Sequence, residues 1–289
     1  SGLRLDARLP RPPRMEATTA PSLAYFQRIW KLRWFWYSLV ENDLQTRYRH
    51  SLLGIGWSLA RPLGLTIIFC LTIGRLVPTP LENYAPYVLI GLTIWQFITE
   101  SATLGCRSFA TGAGYIRQQA VPLGLFPLRT ALGAAFHMMV ALLLGIGTTW
   151  YFQGFGNLAA LPALLPSLVL LFVLSWSLAT VCGLLHTHFP DTGFILELLL
   201  QFTFYLTPIM YTPEVFQRFQ RLTWLLDCNP IWSVLEMVRQ PVLHGHWPPL
   251  FNVAVSVLFV SAITTVALIG LRKLERTLGG GSSPMKDRV

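Results

Sequence analysis

The sequence predicts an all-α membrane protein with six transmembrane helices and both termini in the cytosol. Only 12% of its 289 residues are charged and 53% are hydrophobic, whereas about 25% of residues are charged in ordinary soluble domains. The apolar residues form long blocks, and the basic residues gather between these blocks and in an N-terminal arm. Too few charges remain to cover a water-soluble surface, so the composition excludes a soluble globular domain.

Six apolar blocks are each about 20 residues long, which is the length needed to cross roughly 30 Å of hydrocarbon. They are Trp57–Val77, Tyr84–Leu104, Thr130–Tyr151, Leu158–Leu185, Phe194–Tyr211 and Leu250–Leu271. The fifth block differs from the others because it contains Glu197, Gln201 and Pro208. With the N-terminus inside, the connections on that side hold 17 Lys and Arg residues and the opposite side only three, Arg218, Arg221 and Arg239. The positive-inside rule then places both termini in the cytosol.

The N-terminal arm divides into two parts. Residues 1–21 are rich in Pro and Arg and are predicted to be disordered. Residues 22–45 combine aromatic, cationic and polar side chains at helical spacing, which predicts an amphipathic helix in the headgroup plane rather than a solvated basic helix. The membrane domain then spans 46–278, and 279–289 form a cytosolic tail. The basic residues that give the net charge of +9 lie at helix ends and in this arm. The expected partner is therefore a membrane and not a nucleic acid.

Two short helices are predicted within 212–248, between the fifth and sixth blocks. Thr212-Pro213-Glu214 and Asn229-Pro230 each place a capping residue before a proline, which is a helix start signal. After the second signal, the apolar residues that share one helical face are Ile231, Val234, Leu235 and Val238. Both helices are too short to span a membrane, and whether they re-enter it stays open at this point.

The motifs of common enzymes are missing from these 289 residues. No G-x-x-x-x-G-K-[ST] string occurs, so the chain cannot build the phosphate cradle of a P-loop ATPase. His186, His188 and Asp191 share one short connection, which favours a polar turn over a metal site. We therefore expect a non-enzyme without a cofactor or metal of its own.

Several strings resemble the membrane permeases of bacterial polysaccharide-export systems, which are type-2 ABC transporters. The first is the entry to block one, Arg47-Tyr48-Arg49, Ser51, Leu53-Gly54, Trp57-Ser58-Leu59 and Pro62. The others, in chain order, are Gly91-Leu92-x-x-Trp95-x-Phe97, Phe126-Pro127-Leu128, Phe189-Pro190-Asp191, Leu206-Thr207-Pro208-Ile209-Met210-Tyr211 and Asn229-Pro230. These matches extend from about residue 41 to 245, and Gly114–Pro122 departs from the family's pattern.

The resemblance implies a homodimer bound to two copies of a separate ATPase subunit, which would bind ATP and Mg. It also implies outer gate helices within 212–248 and a polyprenyl-diphosphate-linked polysaccharide as substrate. O-antigen is favoured over teichoic acid or capsule, and the location is the bacterial cytoplasmic (inner) membrane. Residues expected at the ATPase contact are Arg107, Arg117, His186, His188 and Asp191. Aromatic residues expected along the channel are Trp57, Tyr87, Trp95, Phe97, Phe202 and Tyr205.

A lipid diphosphate that arrives at the inner interface needs nearby cations. Arg33, Arg47, Arg49 and Arg61 are the candidates. Three other readings stay open: a type-2 ABC permease for a drug, haem or another lipid, a membrane-embedded glycosyl- or acyltransferase, and an ion channel. The entry string argues against the first, the scattered acids argue against the second, and the lack of a filter-like repeat argues against the third.

Overall fold

The computed structural model describes residues 23–49, 54–74, 79–118, 121–212 and 229–279, and all regular structure within these ranges is helical. The α-helices are α1 Leu23–Lys31, α2 Arg33–Tyr48, α3 Trp57–Thr72, α4 Leu81–Cys106, α5 Ser108–Gln118, α6 Leu125–Gln153, α7 Leu164–His188, α8 Thr192–Leu206, α9 Pro230–Arg239 and α10 Leu250–Gly279. Short 3-10 helices precede α3 at Gly54–Gly56 and α7 at Gly156–Ala163, and a π-helical turn follows α9 at Gln240–His244.

Four of these helices are long and apolar enough to cross a membrane: α4, α6, α7 with the 3-10 turn before it, and α10. They contain the second, third, fourth and sixth predicted blocks. The prediction of an all-helical membrane protein is therefore confirmed. The burial of the four helices differs widely, from 72% of the apolar window of α4 to 17% of that of α10. Helix α4 is thus the central helix of the bundle, and α10 lies at the edge of the bundle.

The first and fifth predicted blocks correspond to shorter helices. Helix α3 has 16 residues and α8 has 15, so at 1.5 Å per residue they measure about 24 and 22 Å. Helix α8 ends at Leu206, five residues before the predicted end of its block. Pro208 explains this stop, because a proline disfavours the helical conformation of the residue before it, and Thr207 is extended at ψ 132°. Residues 75–78 at the end of block one lie outside the described residues, and the count of six crossings stays a prediction.

The predicted interfacial helix over 22–45 is two helices rather than one, and it continues to Tyr48. The break falls at Leu32 (φ −88°, ψ 19°). The carbonyl of Ile29, which the break leaves without its usual helical partner, accepts hydrogen bonds from the Leu32 amide (3.2 Å) and from Trp36 Nε1 (3.2 Å). The arm of residues 1–21 and the tail 280–289 lie outside the described residues.

Helix α9 is the second of the two short helices predicted between blocks five and six. Its N-cap is Asn229, whose side chain accepts hydrogen bonds from the amides of Ile231 (3.0 Å) and Trp232 (3.4 Å). The predicted apolar face is in the core, with Val234, Leu235 and Val238 each at most 2% exposed. Gly245 ends the following turn in a left-handed conformation at φ 67°. The first predicted short helix falls on residues 213–228, outside the described residues.

Candidate functional site

Helix α2 is anchored to the bundle at its C-terminal end by a polar cluster. The Tyr48 hydroxyl lies 2.6 Å from Ser58 Oγ on α3 and 3.2 Å from His137 Nδ1 on α6, and Ser58 Oγ also lies 3.2 Å from that nitrogen. His137 is 5% exposed. One phenol, one hydroxyl and one imidazole therefore fix the relative positions of three helices at the start of the entry string.

The neighbouring residue Arg47 is paired with an acid from α4. Its Nη1 lies 2.7 Å from Glu100 Oε1, and the side chain of Arg47 is 54% exposed while that of Glu100 is 13% exposed. One turn earlier on α2, Asp43 forms a bidentate ion pair with Arg129 at the start of α6. Together with the Tyr48 cluster, these pairs form what we call the α2 anchor. A small cleft beside it is lined by Gln96, Phe97 and the anchor's Ser58, Glu100 and His137.

The four predicted headgroup arginines differ in their surroundings. Arg47 belongs to the α2 anchor, whereas the side chains of Arg33, Arg49 and Arg61 are exposed. The Arg33 guanidinium lies 5.7 Å from the ring centroid of Trp34, which is within the range of a cation–π contact. An anion that binds Arg47 would have to compete with Glu100 for the guanidinium. The role of these arginines in substrate binding stays a prediction.

Helix α1 is held by a second polar network, at the turn that leads into α6. The Tyr25 hydroxyl donates to Glu275 Oε1 on α10 (3.0 Å) and accepts from the Gly124 amide (3.0 Å). The Leu123 amide donates to the same carboxylate oxygen (3.0 Å), and Trp176 Nε1 donates to the Gly124 carbonyl (3.1 Å). Burial, and then the charge of Glu275, raises the pKa of the Tyr25 phenol. The phenol therefore stays protonated and remains a donor to the carboxylate.

A buried arginine connects the start of α4, the end of α8 and α9. Arg239 is the last residue of α9 and is 0% exposed. Its Nη1 donates to the Tyr87 hydroxyl (2.9 Å) and to the Pro208 carbonyl (2.9 Å), and Nη2 donates more weakly to the carbonyls of Ile209 (3.3 Å) and Tyr87 (3.4 Å). The guanidinium carbon lies 3.7 Å from the centroid of the Tyr87 ring. Glu236, one turn earlier, is 3.8 Å away.

Four consecutive carbonyls after α8 find their partners in this arrangement. Pro208 and Ile209 are bound by Arg239, the Tyr84 hydroxyl donates to the Met210 carbonyl, and the Tyr87 hydroxyl lies 3.0 Å from the Pro208 oxygen and 3.3 Å from that of Tyr211. Such buried carbonyls need partners once a helix has ended. We call the side chains of Tyr84, Tyr87 and Arg239 with the 207–211 backbone the arginine lock.

The arginine lock requires a glycine on α4. A Cβ atom at Gly91 would stand 2.1 Å from Arg239 Nη2, and the guanidinium is too enclosed to give way. Sequence reasoning missed this site because it counted Arg239 as a cation of an outer loop. One local signal was available: Arg239 follows Leu235 by four residues, which places it beside the buried face of α9.

The residues predicted for an ATPase contact lie at the junction of α4 and α5, near the end of α5, and around the turn between α7 and α8. Arg107 is the exposed residue between α4 and α5, His188 and Asp191 are exposed, and His186 is half-buried. Arg117 lies within α5, and its side chain is outside the described set. Glycines bring these elements together, since a Cβ at Gly105 would stand 2.4 Å from Ala179 Cα and one at Gly183 would stand 2.8 Å from the Gly105 oxygen. Their contact with an ATPase subunit stays a prediction.

The six aromatic residues predicted for the channel fall into two groups. Tyr87, Trp95 and Phe97 are at most 8% exposed and pack in the core, where Tyr87 holds Arg239 and Trp95 meets Phe204 at 5.8 Å between ring centroids. Within one copy of the chain, these three side chains pack the bundle rather than line an open surface. The exposed group consists of Trp57, Phe202 and Tyr205, at 58%, 61% and 56%.

Helix α8 combines this aromatic exposure with polar groups. It has no buried residue, and Glu197, Gln201 and Tyr205 are all exposed on it. A spacing of four residues puts a carboxylate, an amide and a phenol one above another on successive turns. Phe194 and Leu198 flank them on the same exposed side. This polar ladder and its apolar flanks form a surface that suits neither lipid nor bulk water alone.

Comparison with known proteins identifies the family. The model of the ABC-2 type transporter family matches residues 35–243. Two relatives from Klebsiella pneumoniae, each described as O-antigen export system permease protein RfbA, are 23% identical over 239 residues, which cover 82% of this chain and 90% of each relative. A protein of the same description from Myxococcus xanthus is 22% identical over 249 residues, 83% of this chain and 94% of that relative. Because the family match covers well over half of the chain, the protein belongs to the ABC-2 type transporter family.

Proposed function

We propose that this chain is the membrane permease of an exporter that carries a polyprenyl-diphosphate-linked polysaccharide, most simply O-antigen, across the bacterial cytoplasmic membrane. It works as a homodimer with two copies of a separate ATPase subunit, which binds ATP and Mg. Membership of the ABC-2 type family supports the transporter role. The descriptions of the three relatives, each an O-antigen export permease, support the substrate class.

The proposal includes six membrane crossings with both termini in the cytosol. The four long helices supply four of them, and α3 and α8 supply the other two. The 3-10 turn Gly54–Gly56 precedes α3 and the non-helical segment 207–211 follows α8, so we take each crossing to be longer than its helix. The excess of 17 over three Lys and Arg residues supports the orientation.

The observation that carries the proposal is the polar ladder on α8. Glu197, Gln201 and Tyr205 would be costly against hydrocarbon, and such residues in membrane segments usually face a water-filled path. A polysaccharide needs hydrogen-bond partners for its hydroxyls and aromatic faces for its apolar ring faces. A second copy of the chain would enclose α8 and turn its exposed side into a channel wall. Trp57 and Phe202 are the further aromatic residues that we assign to this wall.

The lipid carrier would enter at the α2 anchor. A diphosphate that displaces Glu100 from Arg47 would disturb the junction of α2, α3 and α4, which couples substrate arrival to the first membrane helix. The exposed cations Arg33, Arg49 and Arg61 would attract the headgroup to this surface. At the same side of the membrane, Arg107, α5 and the connection 186–192 would receive the motion of the ATPase.

The test is to replace the polar ladder in cells that depend on this chain for export. In the double variant Glu197→Leu/Gln201→Leu we expect surface polysaccharide to fall and lipid-linked glycan to accumulate on the cytosolic side. The permease should still copurify with its ATPase. The matched control is Ser261→Leu/Thr265→Leu, which removes two exposed polar groups at the same spacing from α10 and should leave export normal.

Two outcomes would overturn the proposal. Normal export by the α8 double variant would show that the ladder does not line the path. Normal surface polysaccharide after deletion of the whole chain would show that the exporter carries a different class of substrate.

A further inference from the structure

An apolar groove runs between α7 and α10 near the C-terminal ends of both helices. It encloses about 270 Å³, and its walls include Leu184, Leu185, Val266 and Leu274. Gly270 keeps it open, since a Cβ at this position would stand 2.5 Å from Leu184 Cδ1. Both helices are among the four long apolar spans, so the groove faces the lipid phase of the membrane unless another molecule covers it.

Basic residues gather at one end of this groove. Lys273 and His188 are among its lining residues, and Arg276 is exposed three residues after Lys273 on α10. The one acid of these turns, Glu275, is directed elsewhere, since it accepts hydrogen bonds from Tyr25 and the Leu123 amide. Among the described residues, the groove therefore has apolar walls and a cationic end without a carboxylate in its lining.

We propose that this groove binds an anionic phospholipid, with one acyl chain along its walls and the headgroup phosphate at Lys273. A lysine at the end of a membrane helix reaches the headgroup level, where basic residues attract anionic lipids. The volume of 270 Å³ lies just below the range of about 300–1,000 Å³ of small-molecule pockets, which suits part of one chain. The imidazole of His188, held with Nδ1 2.9 Å from the Leu184 carbonyl, lines the same groove as Lys273.

A second groove on the same seam provides an internal comparison. It is lined by Val169, Val173, Val260 and Thr264, among others, and by no charged residue of the part of the chain that the structure describes. The hydrogen bond between Ser177 Oγ and Thr264 Oγ1 (2.8 Å) joins α7 and α10 along this seam. The second groove offers apolar side chains and hydroxyl groups but no charge, so it should accept a lipid chain without regard to the charge of the headgroup.

The experiment is native mass spectrometry of the purified full chain, titrated with dioleoylphosphatidylglycerol or with dioleoylphosphatidylcholine. We expect the wild type to retain the anionic lipid about five-fold better, the preference that one lysine near an anionic headgroup provides. Lys273→Gln should abolish this preference and Lys273→Arg should keep it. Arg272→Gln is the charge control, because Arg272 does not line the groove, and it should keep the preference as well.

Two filling variants test the position of the chain. Val266→Phe narrows the proposed groove and should remove the preference, whereas Val169→Phe narrows the uncharged groove and should not; both valines are exposed, at 56% and 64%. The proposal fails if Lys273→Gln retains the preference, if Arg272→Gln loses it equally, or if Val266→Phe leaves anionic lipid bound as before. It also fails if Val266→Phe converts a dimer into monomers, since a second copy would then cover the groove. The assay needs neither ATPase nor polysaccharide, so its result does not depend on the proposed export function.

Discussion

Replacement of Arg239 by methionine removes the charged group of the arginine lock and keeps a long side chain. The change deletes two strong hydrogen bonds at 2.9 Å and two weak ones at 3.3 and 3.4 Å. A hydrogen bond that involves a charged group contributes about 1.5–3 kcal/mol. Counting only the two short bonds at the low end gives about 3 kcal/mol of lost stability, which agrees with the about 3–5 kcal/mol for breaking a buried ion pair.

Lysine at the same position separates charge from geometry. It keeps the positive charge but lacks the planar fork that reaches the Tyr87 hydroxyl and the two carbonyls together. We therefore expect the unfolding midpoint of Arg239→Lys to lie between those of the wild type and Arg239→Met. The assay is thermal unfolding of the purified chain in one detergent at a fixed scan rate, because a chain of this kind need not unfold in two states. The control is Arg276→Met, which removes an exposed arginine from α10.

The double variant Arg239→Met/Tyr87→Phe tests whether the two side chains act together. If they do, Tyr87→Phe should destabilise Arg239→Met much less than it destabilises the wild type. The departure from additivity should be about 0.5–3 kcal/mol. An unchanged unfolding midpoint in Arg239→Met would refute the reasoning. Equal losses in Arg239→Met and Arg239→Lys would refute the part that assigns the stability to the fork.

Three further predictions concern Gly91 beside the arginine lock, the contact that holds α1, and the ion pair near the C-terminus of α2. Gly91→Ala should lower the unfolding midpoint about as much as loss of the buried arginine, because its methyl group would occupy the position of the guanidinium; the same thermal scan checks it. Glu275→Ala should speed proteolysis within α1, because it removes the acceptor that holds this helix, whereas removal of the exposed acid Glu82 should not. Arg47→Glu should destabilise the chain by placing two carboxylates together, and adding Glu100→Arg should recover most of the loss; a scan in which the reversed pair is no better than the single variant would contradict the ion pair.

Local signals in the sequence were sufficient where a structure depends on neighbouring residues. The start of α9 followed from Asn229-Pro230, because the cap bonds reach only two and three residues along the chain. The buried face of α9 followed from its apolar spacing. The end of α8 was predicted five residues too late, although Pro208 already carried the relevant signal.

Features that depend on distant partners could not be read from the sequence. The burial of Arg239 depends on Tyr87, which is 152 positions away, and on Pro208, which is 31 positions away. Hydropathy assigns an arginine near a loop to the surface, and the pairing that reverses this assignment exists only in the folded bundle. The same holds for the contact of Tyr87 with Arg239 through its hydroxyl and ring face, whereas its predicted place in a channel stays a prediction.

Helix α4 is the element through which the two ends of the bundle can influence each other. Near its C-terminus, Glu100 binds Arg47 of the α2 anchor; near its N-terminus, Tyr84 and Tyr87 hold the segment that follows α8. Pro86 lies between these two tyrosines and cannot donate a helical hydrogen bond, so the side-chain contacts of Tyr84 and Tyr87 add to the backbone bonds that hold this end. A displacement of α4 at the anchor would therefore reach the carbonyls of 208–211 directly, without passing through α8. Because these carbonyls follow closely after the end of α8 at Leu206, the arginine lock is where such a movement would change the position of the polar ladder.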